Sequence, residues 1–318
     1  VLYLVSVPAW SLLTFQEKRI ETWEMFTWWV VPVAWEVVLV LAAASVWLAL
    51  RRVAVTPLGV TKKVPPKGQS VVTLVISLAA AIALYRYLST LTIAPGADAT
   101  EFFATLIVAA GVLMVNALIA VGVIQLIARI SYLLPGSATY VATRRVGRGV
   151  RTTWKRVAAL YFVAFIAGAG SGFSAIPEID DDPALKMVTA DIPSGVAITA
   201  IFGAVLLIAS TLLTQALAVV EQKQLTKSLY FIGAPAKFHT SVAIREVGIP
   251  MALVTLMGFG MGSMMGLALV IAPVDALLTR HALFAVLIVL ALAGCIAAVA
   301  ATGKLRERVL SETGRLND

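Results

Sequence analysis

The chain has 318 residues, of which 60% are apolar and only 13% charged, with 25 Lys and Arg against 17 Asp and Glu. This balance excludes a soluble globular domain, in which roughly a quarter of residues are charged. The net charge of +8 does not argue for nucleic acid, because the basic residues gather in alternate loops between apolar runs, which is the orientation signal of a membrane protein.

Residues 1–27 are expected to be an outer-face segment. VLYLVSVPAWSLL is apolar but short for a span and is broken by Pro8, and it lacks a basic leader and a cleavage site. The chain opens on Val instead of Met, which reads as the start of a piece of a longer protein. Seven runs then reach the length of about 18 residues that a spanning helix needs: Trp28–Leu50, Val71–Leu88, Phe102–Ala128, Val157–Ile176, Val196–Val220, Val247–Pro273 and His281–Thr302. Their continuity predicts helices, since barrel strands alternate. The fold class expected is all-α and polytopic.

Glu36 lies in the first run, and an intramembrane carboxylate is a functional candidate by default. At its depth it can also reach the interface or an aqueous cavity, which is the simpler reading. Arg51 and Arg52 close this run, and VAVTPLGVTKKVPPKGQS follows as an inner connection in which Pro57, Pro65 and Pro66 restrict helix. Asn116 and Gln125 in the third run read as buried amides that hydrogen-bond between helices. Residues 134–156 are strongly basic and read as a cytoplasmic linker, set by orientation and by attraction to anionic lipid. They lack the interleaved aromatics of a single-strand binder, so no nucleic-acid partner is expected.

Gly168, Gly170 and Gly172 in the fourth run allow close helix approach. The loop after it contains IDDD, whose adjacent acids lack the staggered spacing of a calcium loop, and no metal site is expected. The single cysteine, Cys295, excludes a disulfide within the chain and reads as a packing residue.

Between the fifth and sixth runs lies EQKQLTKSLYFIGAPAKFHTSVAIREVGIP, residues 221–250. Leu225, Leu229 and Ile232 recur at helical spacing, Gly233 suits the left-handed position after a helix, and Pro235 suits the start of the next. A short amphipathic helix on the membrane surface is a handle for another protein, although an ordinary solvated loop has the same features. The sixth run holds Gly258, Gly262 and Gly266, with Gly262-x-x-x-Gly266 a close-packing pattern. Met257, Met261, Met264 and Met265 add soft surface, suited to packing or to a varied lipophilic substrate. Lys304, Arg306, Arg308 and Arg315 lie at the last span's end or in the tail, 303–318, which places the C-terminus inside and the N-terminus outside.

The order span, basic elbow, span, outer loop, span occurs twice, in Trp28–Ala128 and in Val196–Thr302. The two elbows share a pattern, Leu58-Gly59-Val60-Thr61-Lys62-Lys63 against Ile232-Gly233-Ala234-Pro235-Ala236-Lys237. A further span, Val157–Ile176, precedes the second set, so symmetry implies one before Val1. The expected design is two parallel four-helix units, 28–133 and 157–302, giving eight helices of which seven are present.

RRVAVTPLGVTKK at 51–63, ATRRVGRGVRTTWKRVAAL at 142–160, LYFIGAPAKF at 229–238 and Arg245-Glu246 before the Gly-rich span resemble the FtsX-like, MacB-type permeases of ABC transporters. The likeness is to the duplicated actinobacterial type. It implies a multi-pass protein of a bacterial cell membrane that exports a hydrophobic or amphipathic compound. Two separate ATPase subunits would bind ATP and Mg; none of these ligands would be bound by this chain. The 318 residues contain no G-x-x-x-x-G-K-[ST] loop, so the chain is not expected to be an enzyme. The resemblance further implies that Leu225, Leu229, Ile232, Gly233, Ala234 and Lys237 form a coupling helix, with Leu58, Gly59 and Lys62 as its counterpart. Pro57 interrupts that counterpart, and its half has no acid matching Glu246, so unequal engagement is expected. Glu36, Glu246, Gly258, Gly262 and Gly266 are the candidates inside the membrane. Membrane lipid is an expected partner, and an extracytoplasmic partner belongs to the alternative of mechanotransmission. A secondary transporter is a weaker alternative, because the runs hold few carboxylates besides Glu36.

Overall fold

Apolar segments must satisfy their backbone hydrogen bonds internally when no water is at hand, and the described residues of this chain do so almost entirely as helix. The computed structural model describes residues 14–15, 18–19, 29–54, 70–88, 90, 99–130, 135–173, 191–269 and 274–314. Among them are two dipeptides, β1 (Thr14–Phe15) and β2 (Lys18–Arg19), paired antiparallel with Thr14 opposite Arg19. The rest is helical: α1 (Val30–Ala54), α2 (Val71–Leu88), α3 (Ala99–Ile130), α4 (Ser137–Arg148), α5 (Val150–Phe173), α6 (Ile192–Glu221), α7 (Lys223–Phe231), α8 (Ala236–Leu269) and α9 (Val274–Gly314).

The chain divides into two compact units, Val1–Val64 and Pro65–Asp318. In the first, α1 turns Trp35, Leu39, Val40, Leu41 and Trp47 outward, and Glu36 is exposed on the same helix. Its apolar stretch, Pro32–Trp47, is shorter than a full span among the described residues. The second unit contains α2 and α3 together with every later helix among the described residues.

Among the described residues of the second unit, five helical segments are long and apolar enough to cross a membrane: Val71–Leu88, Ile107–Ile130, Ile192–Glu221, Ala236–Leu267 and Leu278–Val309. Their outer faces present large apolar side chains, among them Ile76, Leu206, Leu213, Leu256 and Leu290. In water such a surface would be an aggregation liability; in lipid it is the solvated face. The expected span Val157–Ile176 falls on α5, which is not among the five. It is the enclosed helix, with Leu160, Tyr161, Ala164, Phe165 and Ala167 all buried.

A glycine seam holds α5 against α8. A methyl carbon added to Gly258 would lie 2.5 Å from the Tyr161 carbonyl oxygen, and one on Gly266 would lie 2.6 Å from that of Ala169. Gly262 meets Phe165 in the same way. The pairs 161/258, 165/262 and 169/266 advance together by four residues, so the two helices run parallel, backbone to backbone. Met265 is buried and Met257 and Met261 pack against the core, while Met264 faces outward. Across the bundle, Asn116 on α3 donates to the Tyr85 hydroxyl of α2 at 2.9 Å, and that hydroxyl donates to the Met261 carbonyl of α8 at 2.7 Å. Asn116 thus makes the interhelical bond expected of it. Gln125 is half-buried rather than fully enclosed. Cys295 is a free, buried thiol in the core of α9.

Neighbouring helices fix a polarity. Leu74 meets Gly122 and Leu84 meets Gly111, so α2 and α3 are antiparallel; Thr240 meets Gly303 and Ile296 meets Gly248, so α8 and α9 are too. The starts of α2, α5 and α8 and the ends of α3, α6 and α9 therefore share one end of the unit. Helices α4 and α7 lie at that same end.

Candidate functional site

Helix α4 falls within the segment read as a basic cytoplasmic linker, and one of its faces is docked on the bundle. Ala138, Thr139, Ala142, Thr143 and Val146 are buried along one face, and Ala138 and Ala142 pack on Val242 and Phe238 of α8. The side chains are so small that the stripe, spaced by three and four residues, is easily overlooked beside the three arginines of the same helix. Gly149 ends α4 and lets α5 begin at once.

Docking α4 here gives the arginines a partner. Arg145 donates to Glu246 Oε2 at 3.2 Å, and Arg156 of α5 lies 3.6 Å from Oε1. Glu246 thus ties three helices together at the basic end. One turn further on, Pro250 has no N–H for the Glu246 carbonyl, which loosens α8 just above the ion pairs.

Behind Glu246 opens a polar recess lined by Arg145, Arg156, Gln215, His239, Glu246 and Arg306, with Leu225, Thr226 and Leu229 of α7 at its edge. Arg306 and His239 are only 8% and 9% exposed, yet Arg306 Nη1 and His239 Nε2 are buried with no hydrogen-bond partner. Three guanidinium groups face one carboxylate there.

The elbow itself is α7 with the turn after it. The helix stops at Phe231, so Ile232 belongs to the turn, where Gly233 N donates to Tyr230 O at 2.9 Å and Ala234 N to Leu229 O at 3.0 Å. Gly233 adopts φ +99°, the left-handed conformation expected of it. Pro235 immediately precedes α8, and α8 runs unbroken from Ala236 through Glu246 into the Gly-rich segment. The expected stripe splits in two as a result. Leu225 and Leu229 border the recess, whereas Ile232 is 82% exposed and Phe231 71% exposed at the tip. Lys237 is exposed and Ala234 half-buried.

Leu58, Gly59 and Lys62 lie outside the described residues. Glu36 belongs to the other unit, and Gly258, Gly262 and Gly266 form the seam with α5. Only Glu246 of the intramembrane candidates joins the basic end. Sequence reasoning missed Arg145, Arg156, Gln215, His239 and Arg306 as a group. They come from five helices, and no spacing along the chain brings them together.

Comparison of the chain with family models, with curated proteins and with solved structures returned no match. The class defined by these observations is a helical protein that has, among the described residues, five helices long and apolar enough to cross a membrane.

Proposed function

We propose that the chain is the membrane-spanning permease subunit of an ABC-type transporter, which couples ATP hydrolysis by a separate subunit to export of a hydrophobic or amphipathic compound. The observation that supports this reading is the tip of α7. Phe231 and Ile232 stand exposed on a tight Gly233 turn, between two candidate spans and at the basic end of the unit. Apolar side chains so presented, on a segment with no buried residue of its own, suit insertion into a groove of another protein. The basic end faces the cytoplasm on the positive-inside rule, where an ATP-hydrolysing partner resides. Motion delivered at α7 passes directly into α8, since only a short turn separates them, and from α8 into α5 through the glycine seam.

The seven-span layout, the bacterial cell membrane and the second elbow at 58–62 belong to the same proposal. A second reading, mechanotransmission to an extracytoplasmic partner, draws support from that seam, because backbone-to-backbone packing moves α5 and α8 as one rod. The test is a search of the neighbouring reading frames for an ABC-type ATPase, its co-expression with this chain, co-purification, and an assay of transport and hydrolysis in vesicles. Stable association and hydrolysis that changes in the presence of the chain are expected. Full transport by the chain alone, with no hydrolysing companion, would remove the proposal. Stimulated hydrolysis without movement of any compound would favour mechanotransmission.

A further inference from the structure

The recess behind Glu246 holds more positive charge than its residues neutralise. Glu246 engages Arg145 at 3.2 Å and Arg156 at 3.6 Å, through different oxygens. That leaves Arg306, 8% exposed, with Nη1 facing no acceptor, and His239 Nε2 beside it in the same condition. A guanidinium stays charged in any protein environment. Glu246 attracts Arg306 as well, but it is already engaged by two other guanidinium groups; burying a third against so divided a counter-charge is unfavourable, and water can satisfy its hydrogen bonds but not its charge. The space inside the recess is about 30 Å³ and opens to solvent; at the roughly 10–15 Å³ that one water centre needs, it admits a few oxygen atoms beside the guanidinium groups. It is too small to enclose a whole nucleotide. Planar guanidinium forks and an imidazole around such a space match a phosphate group.

We infer that the recess lined by Arg145, Arg156, His239 and Arg306 is a binding site for a single phosphate group, held between α4, α5, α8 and α9 at the edge of α7. The phosphate comes from a lipid headgroup or from free solution; the chemistry is common to both. Gln215, also buried and lining the recess, supplies an amide donor. Glu246 holds two of the guanidinium groups apart from the ligand and competes with it for them. Because Leu225 and Leu229 border the same space, an occupant fixes the root of the elbow. The binding itself does not depend on the permease reading, so the two can fail separately.

The full chain, purified in neutral detergent, is titrated with inorganic phosphate at constant ionic strength and followed by calorimetry and thermal unfolding. In a second arm it is placed in phosphatidylcholine vesicles with or without phosphatidate, and the retained lipid is identified by native mass spectrometry. Saturable binding in either arm is expected, and the arm that responds names the source. Arg306→Gln should weaken that binding at least tenfold, whereas Arg144→Gln, on the exposed face of α4, should not change it. Glu246→Gln should tighten it by removing the competing carboxylate, and this variant decides the matter if Arg306→Gln does not fold. No saturable binding in either arm overturns the inference. Arg306→Gln binding like the parent chain, or Glu246→Gln binding no tighter, does the same.

Discussion

Gly266→Ala tests the seam that joins α5 to α8. The added methyl carbon would sit 2.6 Å from the Ala169 carbonyl oxygen and 3.1 Å from Gly172 Cα, against a favourable separation of about 3.5 Å or more. Every obstructing atom is backbone, so none can rotate away and the helices themselves must part. A gap of about 0.5–1 Å forfeits roughly a quarter to a half of each dispersion contact along the interface. Overpacking costs about 1–3 kcal/mol, and the rigid obstruction places this case near the top of that range. Gly260→Ala is the internal control, because its methyl meets nothing within 4 Å on the same helix. Both changes share the gain in helix propensity, so the difference between them isolates the clash. At about 2–4 °C per kcal/mol for a unit of this size, a 3 kcal/mol clash lowers Tm by roughly 6–12 °C for Gly266→Ala relative to Gly260→Ala. Thermal unfolding in detergent, followed by tryptophan fluorescence, reads the difference. Equal melting temperatures would refute the backbone-to-backbone seam.

Ile232→Asp should leave stability within about 0.5 kcal/mol, as expected of an exposed position, yet cut ATP-coupled activity in vesicles by at least tenfold. Leu58→Asp should do less, and equal losses would remove the asymmetry between elbows. Tyr85→Phe removes the hydroxyl that bridges Asn116 and the Met261 carbonyl. It should lower unfolding free energy by about 1–2 kcal/mol, and adding Asn116→Leu should recover part of that loss; a double variant as unstable as the sum of the singles would argue against the bridge. Because the native thiol of Cys295 is buried, Ile232→Cys gives a single accessible thiol at the elbow among the described residues. An impermeant maleimide should label it in intact cells only after permeabilisation, and labelling without permeabilisation would invert the orientation.

Periodicity and punctuation reached the local structure of this chain. Continuous apolar runs dictated helices, and Gly233 and Pro235 marked the elbow because a left-handed turn and a helix start each demand a particular backbone. Gly262-x-x-x-Gly266 forecast a close approach, since small side chains at that spacing share one face. Those signals are local, and the sequence alone determined them. Which helix fills a glycine groove, by contrast, is a matter of three-dimensional fit, and α5 was settled as the partner of α8 only by packing. The same is true of α4: alanines and threonines look neutral in a basic stretch until a surface on α8 is there to bury them. The ring of Arg145, Arg156, His239, Glu246 and Arg306 is the clearest case. Coulomb attraction and burial act across space, among residues up to 161 positions apart in the sequence (306 against 145), so only the tertiary structure could decide that they meet.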